Sequence, residues 1–219
     1  MSHLLIVGAG PGIAGATARR FGRDGYRVGL VARGARSLAE LAGELGSGGV
    51  TARGAVADAG DVGALTEAVA DMVALAGPVD VLLYNVSVGR EVAVDDLAPE
   101  DLLADLAAGT VGLQTAVRAV LPGMRDRGSG TVLVTGSGSA DSPVKTMATL
   151  GVQKAALRAL AQVQAHALAP AGVHVATVTV RGFVGRQIPP ERVADVYADL
   201  VGETSGPPEN WRTVVDVFP

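Results

Sequence analysis

The chain has no cysteine, which excludes disulfides, thiolate nucleophiles and Cys-ligated zinc and makes the reducing cytoplasm the expected compartment. No metal site is read elsewhere in the chain. Aromatic residues make up only 3% of the 219, so the core must close by near approach of small side chains rather than around large rings. Neither charge sign dominates. The 18 basic and 22 acidic residues leave a net −4, with no basic stripe to suit nucleic acid. No apolar run reaches the length of a membrane span without a charge or a glycine cluster. The opening MSHLLIVGAG lacks a signal peptide's basic n-region and cleavage site and reads as a first strand. Lysine is scarce as well: only Lys145 and Lys154 are not arginine among the basic residues. A GC-rich coding bias explains most of that, yet it marks two positions where arginine has not taken over.

Hydrophobic residues account for 48% of the chain and the mean hydropathy is +0.35, enough to bury one core and too much for disorder. Short β-type runs alternate with segments of helical spacing. Strands are expected at 3–7, 27–32, 49–56, 80–86, 130–135 and 173–180. Helices are expected at 13–22, 37–46, 61–75, 99–121 (closed by Pro122-Gly123), 149–168 and 190–200. Six such alternations predict a single α/β domain over 1–219, a doubly wound parallel sheet of Rossmann type in three αβα layers, with a short substrate-side tail at about 183–219.

The first strand runs into Gly8-Ala9-Gly10-Pro11-Gly12-Ile13-Ala14. Glycines let backbone turn with positive φ and approach a phosphate closely, and the helix that follows offers free N–H groups to an anion. A lone G-x-G-x-x pattern is weak, but here it sits at the first strand–helix junction, the context a dinucleotide pyrophosphate requires. Gly8, Gly10, Gly12 and Ile13 are the candidate cradle. At the end of the second strand an acidic residue would hold the ribose hydroxyls of NAD; this chain has Ala32-Arg33. Arginine pairs with a 2′-phosphate, which favours NADP over NAD. Asp58 after the third strand is either an acceptor for the adenine amino group or a helix N-cap. Asn85, ending the fourth strand, either ties strands or lines the cofactor.

At this point the chain resembles the short-chain dehydrogenase/reductase family over about 1–185. The glycine turn matches, with Val7 in place of threonine and Ala14 in place of the last glycine, and Tyr84-Asn85-Val86-Ser87 keeps one asparagine of the family's NNAG. The segment Gly130-Thr131-Val132-Leu133-Val134-Thr135-Gly136-Ser137 resembles its catalytic-serine strand. The resemblance implies a serine, a tyrosine thirteen residues on and a lysine four after that. Counting from Ser137 gives Leu150 and Lys154, so serine and lysine are kept and the tyrosine is lost. The family's helix asparagine falls on Gly109. Three tyrosines exist, at 26, 84 and 197, and none precedes a lysine by four. The tail resembles a divergent subgroup of classical type that lacks the tyrosine.

Tyrosine in this family protonates the carbonyl oxygen as hydride arrives, its phenol acidified by the lysine. Leucine cannot. Ser137 and Lys154 are therefore the candidate catalytic residues, with Lys154 also a candidate for gripping the nicotinamide ribose. Tyr84 and Tyr197 are read as packing residues, His166 as a surface or interface residue, and Trp211 as the anchor of the tail. Three functions stay open: a noncanonical NADP(H)-dependent oxidoreductase acting on a small molecule, a non-redox cyclase, isomerase or lyase using the same cleft, and an inactive NADP-binding or partner protein. The resemblance further implies a homodimer or homotetramer through helices 99–121 and 149–168.

Overall fold

The computed structural model describes residues 1–219. Strand β1 (His3–Val7) and helix α1 (Ile13–Arg23) open the chain, followed by β2 (Arg27–Ala32), α2 (Ala35–Ser47), β3 (Ala52–Val56), α3 (Val62–Ala76) and β4 (Val81–Tyr84). Then come α4 (Pro99–Leu106), α5 (Gly112–Arg127), β5 (Gly130–Ser137), α6 (Ala148–Leu168), β6 (Val173–Val180), α7 (Pro190–Gly202) and β7 (Val214–Val217). All seven strands join one parallel sheet in the order β3-β2-β1-β4-β5-β6-β7. Parallel strands need crossovers, and the helices supply them on both faces. That is why β1 reads HLLIV without polar alternation: every one of its residues is buried. Leu5 and Val7 pack under α3, α5 and α6, while Leu4 and Ile6 pack under α1, α2 and α7.

The chain builds outward from β1 to β3, then returns to place β4 on the other side of β1. The carboxyl ends of β1 and β4 therefore part in opposite directions and leave a crevice, the place where ligands bind in open α/β sheets. Every candidate residue except Lys154, which lies on α6, sits at that edge. The glycine turn follows β1, Arg33 follows β2, Asp58 follows β3, Asn85 follows β4 and Ser137 ends β5.

The structure departs from expectation in two elements. The helix expected to close at Pro122 continues to Arg127 and is capped by left-handed Gly128. Proline removes one intrahelical bond, but Pro122 and Arg118, whose carbonyl loses its partner, both lie on the exposed side, and fully buried Met124 holds the last turn. The same helical stretch is broken earlier, by a π-helical turn at Ala107–Val111. There the Tyr84 hydroxyl donates to the Ala108 carbonyl, which a wider turn frees from its usual partner. The second departure is β7, an edge strand in a tail expected to hold one helix. Four residues with only Val217 buried leave too short a pattern to be seen in sequence. Its pairing with β6 brings the tail into the sheet.

Candidate active site

The turn after β1 is shaped by glycine at Gly8. Its φ is +88°, and a Cβ there would stand 2.7–2.9 Å from the Asn85 and Val86 backbone, so no side chain is possible. At Gly10 and Gly12 the reverse holds: nothing lies within 4 Å of where a Cβ would be. The space stands open toward solvent. Gly12 caps α1 without any side-chain hydrogen bond, and the N–H groups of Gly12, Ile13 and Ala14 find no backbone partner. A helix of eleven residues thus points bare donors and the positive end of its dipole into open space.

Beside the turn lies a cavity of about 180 Å³ lined by Gly8, Arg33, Asp58, Asn85, Ser87 and Val88 among others. Arg33 is 69% exposed and its guanidinium stays 3.9 Å from Asp58 Oδ2, a weak surface pair that leaves the side chain available. Asp58 accepts from the Gly60 N–H at 2.8 Å, holding the turn while facing the cavity. It is not the N-cap of α3: Asp61 takes that place by accepting from Ala64 N–H at 3.0 Å. Asn85 lines the cavity and also ties strands. Its Nδ2 donates to the Gly8 carbonyl at 3.0 Å, and its Oδ1 accepts from the Thr135 hydroxyl at 2.8 Å.

The corner around Ser137 and Lys154 is organised differently. Lys154 is buried, 3% exposed, which overturns any reading of it as a surface lysine. Its Nζ donates to the carbonyls of Val86 and Thr135, both at 2.9 Å. Desolvation lowers its pKa to about 8, while the two carbonyl acceptors favour the ammonium form. The nitrogen is thus not free among apolar neighbours but bridges the ends of β4 and β5. Ser137 Oγ contacts the Ser139 hydroxyl and accepts from its N–H, both at 3.2 Å. Leu150, half-buried, stands one helical turn before Lys154 on α6 and presents no polar atom. None of Ser137, Leu150 and Lys154 lines the cavity beside the glycine turn.

The remaining tyrosines are structural. Tyr197 is fully buried, its hydroxyl 2.7 Å from Thr135 Oγ1; burial pushes its pKa up, as it does for Tyr84. Because Thr135 donates to Asn85, the Tyr197 phenol is the donor of that pair. Trp211 bonds the Gly206 carbonyl through its indole N–H at 3.1 Å and lies 5.1 Å from the His174 ring, anchoring the tail. His166 is exposed.

Four polar residues near this corner escaped the sequence reading: Asp105, Thr149, Gln153 and Thr135, all buried. Arg90 holds Asp105 through two 2.9 Å bonds and thereby lowers its pKa. Thr149 and Gln153 lie four apart on α6, a spacing that puts them on one helix face. That pairing was the only signal available, and it names no partner.

Known proteins are similar to this chain in sequence and in fold. The short chain dehydrogenase family matches residues 2–187. The 2,3-dihydro-2,3-dihydroxybenzoate dehydrogenase of Bacillus subtilis is 31% identical over 69% of this chain, a match spanning 58% of that enzyme's length. A putative ketoacyl reductase of Streptomyces coelicolor is 28% identical over 90% of this chain and 89% of its own. Among solved structures, a metagenomic short-chain oxidoreductase in complex with NADP superposes with a TM-score of 0.89 at 27% identity, covering 100% of this chain and 97% of that one. A single-substitution variant of the actinorhodin polyketide ketoreductase with NADPH gives 0.91 at 26% identity, covering 99% and 95%.

Proposed function

The chain belongs to the short-chain dehydrogenase family, and from that premise we propose that it is an NADP(H)-dependent oxidoreductase whose proton chemistry does not pass through a tyrosine. The observation that carries this reading is the open cradle at the start of α1, with bare N–H groups at Gly12, Ile13 and Ala14 beside a cavity that holds Arg33 and no carboxylate at the end of β2. Those residues fit a dinucleotide. Gly8, Gly10, Gly12 and Ile13 would receive the pyrophosphate, Arg33 a 2′-phosphate, and Asp58 and Asn85 the adenosine side and the middle of the molecule. At about 180 Å³ the cavity takes one end of a long ligand, and the open cradle takes the rest. Solved relatives bound to NADP and NADPH support the choice of cofactor.

Bound there, the nicotinamide supplies or accepts hydride. The chain's own residues then govern where a proton resides. Leu150 offers none, and the Ser137 hydroxyl is too weak an acid to supply one unaided. Lys154, with a pKa near 8, is mostly ammonium at neutral pH and keeps one N–H beyond its two carbonyl bonds. Substrates that need no proton on an alkoxide, such as conjugated alkenes or imines, suit this site better than simple ketones. Exposed Leu103 and Val111 in the stretch 99–121, and Val152 and Val163 in the helix 149–168, support self-association through those two segments.

A second reading has its own observation. Every polar group of the catalytic corner is bonded within the protein, as expected of a protein that binds the nucleotide without turning it over. Titration with NADPH and NADH separates binding from its absence: micromolar NADPH affinity with weaker NADH is expected, and failure of both at millimolar concentration overturns the cofactor reading. Oxidation of NADPH by enones or imines supports the enzyme. Tight binding with no turnover supports the second reading.

A further inference from the structure

Position 109 is a glycine, and the space beside it is occupied from another helix. A Cβ on Gly109 would stand 2.7 Å from Cγ of Gln153 and 2.8 Å from its Cδ, closer than any real carbon contact. Gln153 is wholly buried. Its carboxamide holds both backbone groups of Val88: the Val88 N–H donates to Oε1 at 3.1 Å, and Nε2 donates to the Val88 carbonyl at 3.0 Å. Nε2 also donates to Thr149 Oγ1 at 3.2 Å.

The orientation of that amide is dictated by a chain of donors. The fork of Arg90 fixes the Asp105 carboxylate, which can only accept. Thr149 gives its one proton to Asp105 Oδ2 at 2.8 Å, so its oxygen is left as an acceptor and faces nitrogen, not oxygen, of Gln153. The next residue, Lys154, donates to the carbonyl of Val86. Two adjacent residues of α6 thus hold residues 86–88 by three hydrogen bonds. That segment belongs to no strand or helix, yet with Asn85 it forms the β4 side of the cavity that Arg33, after β2, and Asp58, after β3, also line.

We propose that Gln153, paired with the vacant side-chain position at Gly109, is a positioning residue that sets the wall of residues 86–88 for the adenosine side of the dinucleotide. It acts through the Val88 backbone and makes no contact of its own with the ligand. The inference rests on the NADP reading above, so it is tested in two arms that fail separately.

The first arm uses no ligand. Unfolding of Gly109→Ala, Gln153→Ala and the double variant is compared by denaturant titration. Gly109→Ala is expected to lower the midpoint clearly when Gln153 is present and to be harmless once Gln153 is alanine. Additive effects overturn the pairing. The second arm measures the affinity of wild type and Gln153→Met, which keeps length but loses both polar ends, for NADPH and for adenosine 2′,5′-bisphosphate. NADPH and the fragment are each expected to bind about ten-fold more weakly, because both fill the cavity that residues 86–88 share with Arg33 and Asp58. Gly109→Asn combined with Gln153→Ser, which returns a carboxamide from the other helix, is expected to recover part of the NADPH affinity. No loss, or a loss for NADPH with the fragment unchanged, overturns the positioning role. Should wild type bind neither ligand, the cofactor reading and the positioning role fall together, and the first arm alone decides whether Gly109 and Gln153 form a unit.

Discussion

The two ends of the crevice contain equally well-matched residues in opposite states. At Gly12, Ile13 and Ala14 the donors are bare, and the space beside Gly10 and Gly12 is open. Around Ser137, Leu150 and Lys154 both polar side chains already have protein partners, with one Lys154 N–H left over, and position 150 is aliphatic. The difference teaches that retaining a residue type is not the same as retaining its availability. A lysine in register by counting serves here as a cross-link between β4 and β5, whereas a glycine turn with two substitutions from the family pattern keeps what a pyrophosphate needs.

The sharpest way to break this contrast is Leu150→Tyr, which returns a phenol one turn before Lys154. A positioned general acid contributes roughly 10²–10⁴-fold, so NADPH-dependent reduction of simple ketones should rise by about 10² or more, read in a steady-state assay. No gain in a variant that still binds NADPH would show that the corner is closed by its hydrogen bonds and not by the leucine. Next in size is Gly12→Asp. Nothing lies within 4 Å of that position, so the fold should survive while a carboxylate repels the pyrophosphate. NADPH affinity should fall roughly 100-fold, about 2.7 kcal/mol, by calorimetry. An unchanged affinity would move the binding site away from α1.

Arg33→Ala should reduce NADPH binding about ten-fold and leave NADH nearly unchanged, in line with the loss of one charge-assisted partner; equal effects on both would remove Arg33 from 2′-phosphate recognition. The buried end offers a pH test. Lys154 has a folded pKa near 8 against 10.5 for the free side chain. Between those values the unfolded chain binds the extra proton, so stability must rise with pH across that window. Relative to Lys154→Met, wild type should gain stability from pH 8 to 10, measured by urea unfolding. A flat difference would mean that the carbonyls of Val86 and Thr135 hold the ammonium throughout. The smallest effect is expected for Tyr197→Phe, which removes one buried hydrogen bond to Thr135. The loss is about 1 kcal/mol, seen as a lowering of Tm by about 2–4 °C.

Alternation of strands and helices was legible along the chain because a parallel sheet buried on both faces demands continuous apolar runs. The glycine turn was legible because its chemistry lies in consecutive residues. The tyrosine's absence could be counted for the same reason. Strand β7 escaped because an edge strand with one buried residue leaves no pattern, and the passage of α5 through Pro122 escaped because only its exposure made the missing bond tolerable.

Local residue order by itself determined the fold class, the placement of the cradle after β1 and the leucine four residues before Lys154. Only the tertiary structure decided that Lys154 bonds two carbonyls, that Tyr197 reaches Thr135 from α7, and that Gln153 fills the void at Gly109. Those pairings join residues between 19 and 68 positions apart, and hydrogen-bond partners at such separations are chosen by how helices seat on the sheet, which no window of neighbouring residues encodes.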